Sequence, residues 1–168
     1  MKHSDFCTHI NNREDIPYLR TRLFDVNMRL FHSSEPYRKI VLSCMNYLVW
    51  WCQTEKEGYK KPHGVSGANA GIPWNIIAVN RGSGTTPMIN PVITRYYGDE
   101  IKSMSNCGSL TLKEPIEIVR WEFIDLIYFD LNGKEVTEDK VDRKNGGLTI
   151  QHEVDHNHGI LIYDKLTD

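Results

Sequence analysis

The sequence has no long apolar run, no marked excess of one charge and no internal repeat. No stretch approaches the ~20 consecutive apolar residues that a membrane-spanning helix requires. The 20 Lys and Arg residues are balanced by 22 Asp and Glu residues, which leaves a net charge of −2. This balance excludes the concentrated basic surface typical of nucleic-acid-binding proteins. We therefore predict a protein that binds neither nucleic acid nor a membrane.

Cysteine is also scarce, with four residues in a chain of 168. The N-terminus has no apolar segment of the kind that directs secretion, so we expect free thiols and a cytoplasmic location. Cys44 and Cys52 lie in an apolar helical pattern, and we predict that both are buried. The length suits one domain with its own core. We predict that residues 1–168 form this single domain and that the protein is a monomer.

The hydrophobic pattern predicts one long helix in the first third of the chain. Apolar residues at i, i+3, i+4 and i+7 spacing predict a helix over 35–56. Ser34 is a suitable N-cap and Gly58 can end the helix. The preceding residues, 1–33, are predicted to be irregular.

The middle of the chain has the pattern of β-strands, and a second helix follows it. An Asn132-Gly133 pair predicts a hairpin turn, and Asn145-Gly146-Gly147 precedes a helix that ends at Gly159. Strands in the middle with helices near both ends predict an α+β fold. The predicted strands are 76–80, 88–93, 116–131 (two strands or one bent strand) and 160–163.

The most informative stretch is QHEVDHNHGILIYD at 151–164. His152 and His156 are ~400° apart around a helix, so both imidazoles leave the same face and can reach one metal ion. Glu153 is offset by about 100°, where a carboxylate can serve a metal-bound water without binding the ion. The competing interpretation is a pair of surface histidines on a polar helix.

A catalytic metal site needs a third protein ligand and an open fourth position. His158 is two residues beyond His156 and points away from it on a helix, so we look for the third ligand upstream. The candidates are His63, Cys107 and a carboxylate such as Asp99. Cys107 lies in the small polar turn SMSNCGSL, which can present a thiolate but equally suits a buried structural thiol. Composition leaves these alternatives open.

The chain resembles the peptide deformylases, and three motifs in the right order carry the resemblance. The third motif matches over Gln151-His152-Glu153-Val154-Asp155-His156. The second motif is represented by Cys107 and Ser109. The first motif, a Gly-rich substrate-binding stretch, is represented by His63-Gly64-Val65 and by Ala68. The resemblance implies mostly antiparallel β-sheets packed around a central helix that carries HExxH, with a second helix nearer the N-terminus.

The resemblance also implies a role for individual residues. Glu153 takes a proton from the metal-bound water and passes it to the leaving amine. The backbone N–H of Gly108 helps to hold the oxyanion, and Gln151 supports the site from behind the ligands. The resemblance implies one metal ion per chain, which is Fe²⁺, with Zn²⁺, Ni²⁺ or Co²⁺ as substitutes. The implied ligands of this ion are Cys107, His152 and His156. The implied substrate contacts are Gly64, Val65, Ser66, Gly67, Gly71 and Asn106.

Two of the motifs depart from the typical pattern. The first motif typically runs Gly-x-Gly-x-Ala-Ala-x-Gln, whereas residues 64–71 are GVSGANAG and place Gly71 where the glutamine amide donates to the formyl oxygen. Losing one oxyanion donor typically costs about 10²–10³ in rate. The second motif, typically Glu-Gly-Cys-Leu-Ser, has become SNCGS at 105–109. Asn69 and Asn106 are the nearby amides that can compensate; a slow deformylase and a changed substrate are the other interpretations.

Four functions compete at this point. The leading one is a metal-dependent hydrolase that removes the formyl group from N-formyl-methionyl peptides. The second is a related hydrolase whose substrate is another N-acylated peptide or small molecule. The third is a catalytically dead binding protein, which retention of Glu153 argues against. The fourth is a protease that cuts internal peptide bonds, which a short chain with an upstream Cys ligand fits poorly.

Overall fold

The computed structural model describes residues 16–55, 61–110 and 114–166. These residues form one five-stranded antiparallel sheet together with one long helix before it in the chain and one helix after it. The second of these helices carries the HExxH motif. The predicted α+β fold class is therefore confirmed.

Two short helices lie in the segment that the sequence predicts to be irregular. They are α1 (Ile16–Leu19) and α2 (Met28–Ser33), so the prediction is wrong for these residues. The Asn27 side chain accepts a hydrogen bond from the Leu30 N–H and so caps α2. One turn is too short for a hydrophobic period to be visible, so the pattern alone misses such helices.

The long helix α3 spans Glu35–Gln53, close to its predicted bounds. Ser34 occupies the N-cap position but makes no side-chain capping hydrogen bond, and Gly58 lies outside the described residues. Cys52 is fully buried, whereas Cys44 is only partly buried, so the prediction of two buried thiols holds for Cys52 alone. The buried face of α3 consists of Val41, Met45, Leu48 and Cys52.

The sheet is a meander in which each strand pairs with the next one along the chain. The predicted strand 88–93 is part of a much longer strand, and 116–131 contains one strand, not two. Three register shifts bend the pairing of the two longest strands. The strands are β1 (Gly64–Ser66), β2 (Ile76–Arg81), β3 (Gly84–Ser105), β4 (Ile116–Phe129) and β5 (Glu135–Val141).

The final helix α4 spans Gly147–Asn157, and the strand predicted after it is wrong. Residues 160–163 instead lead into a short 3₁₀ helix, Ile162–Lys165. The Asp164 carboxylate turns the chain, because its Oδ2 accepts the Leu161 N–H at 2.8 Å. The apolar run therefore records burial of Leu161 and Ile162, not strand pairing.

Helix α4 is anchored by the face opposite to its histidines. Ile150 and Val154 pack into a core cluster with residues of β2, β3, β4 and β5. These two positions lie ~200° around the helix from His152 and His156. Burial of the Ile150 and Val154 face therefore fixes the direction in which the two histidines point. No helix among the described residues is long and apolar enough to cross a membrane.

Candidate metal centre

Three side chains from two distant segments converge beside α4. The His152 and His156 Nε2 atoms are 3.1 Å apart, and the Cys107 Sγ lies 3.3 Å from His156 Nε2. The three potential ligand atoms all lie within 4.8 Å of one another. His63 is exposed and lies outside this cluster, as does Asp99. The structure thus brings together the three residues that the resemblance implies as metal ligands; their role as ligands stays a prediction.

Cys107 is presented by a turn that begins just after β3. The Cys107 Sγ accepts hydrogen bonds from the backbone N–H groups of Ser109 and Leu110 and from the Ser109 side chain. Burial is the largest influence and raises the pKa of the Cys107 thiol, while these hydrogen bonds lower it. The turn therefore supplies the donors that a thiolate needs, and a cation bound at the sulfur would complete its stabilisation.

The two imidazoles are held in their neutral form. Burial lowers the pKa of His156 to about 4, with Arg120 as a second cause. Burial also lowers the pKa of His152 well below its usual value, with His156 and Arg120 contributing. Neutral imidazoles keep a free nitrogen lone pair, which a metal requires. Two imidazoles and one thiolate are a donor set that fits Zn²⁺ or Fe²⁺.

Glu153 is buried beside the three converging side chains. Its Oε2 has no hydrogen-bond partner among the described residues, and burial raises the pKa of Glu153 to about 8, against the opposing effects of Arg120 and a Ser66 hydrogen bond. A Cβ on Gly64 would lie 2.9 Å from the Glu153 Cγ and 2.6 Å from the Thr149 Cγ2. Strand β1 therefore packs directly on α4 and shields the carboxylate, and only glycine permits this approach.

A buried ion pair that the sequence did not reveal lies behind His152. Arg120 NH1 donates to Asp155 Oδ2 at 2.8 Å, and both side chains are almost fully buried. Arg120 NH2 lies 3.4 Å from His152 Nδ1. Arg120 shares the inward face of β4 with Ile118, and this two-residue spacing is the signal that could have placed it.

Gln151 ties α4 to β4 immediately before the first histidine. Its Oε1 accepts the Trp121 N–H at 3.1 Å, and its Nε2 donates to the Trp121 carbonyl at 2.9 Å. This two-point contact fixes the rotation of α4 against the sheet. Gln151 thus supports the geometry of the site through the backbone of β4.

Asn157 performs a similar task at the other end of α4, and no sequence pattern predicted this role. Its Nδ2 donates to Asn75 Oδ1 and to the Ile76 carbonyl, at 3.0 and 3.2 Å. Its Oδ1 accepts the Ala68 N–H at 3.4 Å. The buried amide therefore joins α4 to β2 and to the Gly-rich stretch.

The predicted substrate contacts differ in accessibility. Val65, Ser66 and Gly67 are buried, whereas Gly71 and Asn106 are exposed. Gly71 follows a 3₁₀ turn (Ala68–Ala70) and has a φ of +67°, a conformation that favours glycine. These contacts, and the Gly108 oxyanion donor, stay predictions; Gly108 itself is exposed, with open space where its Cβ would be.

The chain is similar to known proteins, in one case over nearly its whole length. A peptide deformylase from Levilactobacillus brevis is 29% identical over 168 residues, which cover 92% of this chain and 87% of the relative. One from Pelotomaculum thermopropionicum is 32% identical over 105 residues, which cover 61% of this chain and 63% of the relative.

Solved structures show the same fold. The peptide deformylase from Thermotoga maritima superimposes with a TM-score of 0.72 at 22% identity, covering 95% of this chain and 97% of that one. A deformylase from Acinetobacter baumannii with bound Met-Ala-Ser gives 0.67 at 20% identity, covering 92% and 94%. The family model of the polypeptide deformylases matches residues 32–168. The chain therefore belongs to the polypeptide deformylase family.

Proposed function

We propose that this protein is a metal-dependent hydrolase that removes the formyl group from N-formyl-methionyl peptides. The observation that carries the proposal is the convergence of Cys107, His152 and His156 with a buried Glu153 beside them, in a chain of the deformylase family. The Met-Ala-Ser found in the Acinetobacter baumannii structure has the form of a deformylated product, which supports a peptide substrate.

The chain's own residues would hold one ion, which we propose to be Fe²⁺, with Zn²⁺, Ni²⁺ or Co²⁺ as substitutes. When bound, such an ion lowers the pKa of a coordinated water and polarises the formyl carbonyl. The protein supplies the ligands in the right protonation state, because burial keeps both imidazoles neutral. The Arg120–Asp155 pair and Gln151 keep α4 in place behind them.

Glu153 is the proposed general base and acid. Its free Oε2 accepts the proton of the attacking water and later delivers it to the leaving amine. Burial, which raises its pKa, makes the carboxyl a better proton acceptor and lets it hold the proton between the two steps. Gly108 is exposed, and its backbone N–H is the proposed donor to the oxyanion.

A related hydrolase acting on a different N-acyl amide is the second candidate. The typical glutamine is replaced by Gly71 and the typical leucine by Gly108, and a Cβ at Gly108 would meet no atom within 4 Å. The lost bulk beside the cysteine leaves room for an acyl group larger than formyl.

Turnover of an N-formyl-methionyl tripeptide by anaerobically purified, Fe²⁺-loaded protein tests the proposal. N-acetyl and longer N-acyl peptides, and a Gly71→Gln variant, are assayed beside it. We expect the wild type to deformylate and to leave the larger acyl groups intact. Absence of wild-type turnover, with activity restored in Gly71→Gln or seen on larger acyl groups, would establish the second candidate instead.

A further inference from the structure

A buried amide joins the Gly-rich stretch to the cysteine turn. Asn69 is 8% exposed, and its Oδ1 accepts the Ser66 N–H at 2.8 Å and lies 2.6 Å from the Ser66 hydroxyl oxygen. Its Nδ2 donates to the Ser109 hydroxyl oxygen, across 40 residues of chain. Asn69 therefore uses both ends of its amide to bridge two segments that meet only in the folded protein.

Each end of this bridge touches a group of the proposed active site. The Ser109 side chain hydrogen-bonds the Cys107 sulfur, and the Ser66 side chain hydrogen-bonds the Glu153 carboxyl. The Ser66 hydroxyl has one proton, which either Asn69 Oδ1 or the Glu153 carboxylate accepts. Asn69 donates to Ser109, and Ser109 donates to the sulfur, so these two bonds point the same way. Hydrogen bonds aligned in this manner strengthen one another in a buried setting.

The bridge is built from residues in which this chain departs from the typical first motif. Ser66 stands at the second glycine of Gly-x-Gly-x-Ala-Ala-x-Gln, and Asn69 stands at its second alanine. Neither glycine nor alanine offers a side-chain hydrogen bond. The same motif has lost its only side-chain amide at Gly71, which is exposed. The departures therefore place a new amide inside the site while removing the one at its edge.

We propose that Asn69 is a positioning residue, which through Ser66 and Ser109 couples the placement of Glu153 to that of the Cys107 thiolate. This inference rests on the proposed function only in naming Cys107 as a metal ligand. Removing the amide leaves Ser109 a weaker donor to the sulfur and leaves Ser66 free to rotate beside Glu153. The distance between the Glu153 carboxyl and the Cys107 sulfur is then no longer fixed.

The Co²⁺-loaded protein gives a readout that needs no substrate. The thiolate-to-Co²⁺ charge-transfer band responds to hydrogen bonds at the sulfur. We expect Asn69→Ala to move this band to longer wavelength and to lower kcat on N-formyl-methionyl tripeptide about tenfold, with KM changed less than about twofold. Asn69→Ser, which fits the same space but is too short to reach Ser109, gives the same result and serves if the alanine variant does not fold.

A double-variant cycle separates coupling from general loosening. Because Asn69 acts on the sulfur through Ser109, Asn69→Ala adds no further band shift to Ser109→Ala. Asn75→Ala is the matched control: it removes another buried amide, bonded to Asp25 and Asn157, and should lower stability without moving the band. An unmoved band in Asn69→Ala, or shifts that add, overturns the proposal. If the band moves in Asn69→Ala but the wild type does not turn over the formyl peptide, the positioning role of Asn69 is supported and the proposed substrate is rejected.

Discussion

The two walls of the site, helix α4 and the Gly-rich stretch at 64–71, are built on different physical grounds. On α4, His152 and His156 share a face because they are one turn apart, and Ile150 with Val154 anchors the opposite face. The stretch 64–71 consists of the short strand β1 and a 3₁₀ turn, and its residues are placed by contacts with other segments. The helix wall tolerates little change in the spacing of its residues. The wall formed by residues 64–71 can exchange one set of polar contacts for another.

Removing a ligand from the helix wall should have the largest effect. His156→Ala leaves two of the three converging donors, too few for a catalytic site. We expect metal content to fall from one ion per chain to near zero and formyl-peptide turnover to be lost, as measured by elemental analysis and assay. His158→Ala is the matched control, because His158 Nδ1 is engaged with the Val154 carbonyl and lies outside the cluster. Equal metal loss in both variants would contradict the ligand assignment.

Glu153→Gln separates catalysis from metal binding on the same wall. The amide keeps the shape of the side chain but cannot accept the water proton, so kcat should fall by about 10²–10⁴. Metal content should match that of the wild type. A variant that keeps full activity with metal bound would assign the proton transfer to another residue.

Gly64→Ala tests the contact between the two walls, where β1 packs on α4. The added methyl would meet Thr149 Cγ2 at 2.6 Å and Glu153 Cγ at 2.9 Å, so either these two side chains or β1 must shift. Overpacking of this kind costs about 1–3 kcal/mol, measurable by urea unfolding. Gly82→Ala, where a Cβ meets nothing within 4 Å, should cost much less. Similar losses in the two variants would show that the contact is not tight.

The metal-stripped protein should lose stability as pH rises from 6.5 to 8. Burial raises the folded-state pKa of Glu153 to about 8 from an ordinary value of 4.5, so the folded state binds more protons than the unfolded state in this window. Stability then falls with pH, by at most about 2 kcal/mol over this range. The lowered pKa values of His152 and His156 act in the opposite direction, and their effect fades only as pH rises above their ordinary value of 6.5.

Urea unfolding of metal-stripped wild type and Glu153→Gln at both pH values checks this smallest effect. The glutamine does not titrate, so the stability of this variant should not fall between pH 6.5 and 8. A parallel decline in both proteins would show that other groups cause it. The comparison of these two proteins also measures how well the stretch 64–71 excludes water from the Glu153 carboxyl.

Local pattern was sufficient for the helices α3 and α4 and for the strands β2 and β4. It was insufficient for the two short helices and where burial decides the structure. The i, i+4 spacing predicted α3 and α4, and the alternation from 116 predicted β4. The apolar run 160–163 was assigned wrongly because Leu161 and Ile162 are buried in a 3₁₀ turn that one carboxylate, Asp164, stabilises. The burial of Arg120 was missed because a charged residue on a strand is buried only when it has a partner, here Asp155.

The sequence by itself determined that His152, Glu153 and His156 would share one region of a helix, since their spacing is a local property of 3.6 residues per turn. Only the tertiary structure decided that Cys107, 49 residues before His156, would meet them, that β1 would cover Glu153, and that Asn69 would bridge to Ser109. These contacts join segments far apart in the chain. They depend on which surfaces pack together, and no spacing of residues along the sequence determines that packing.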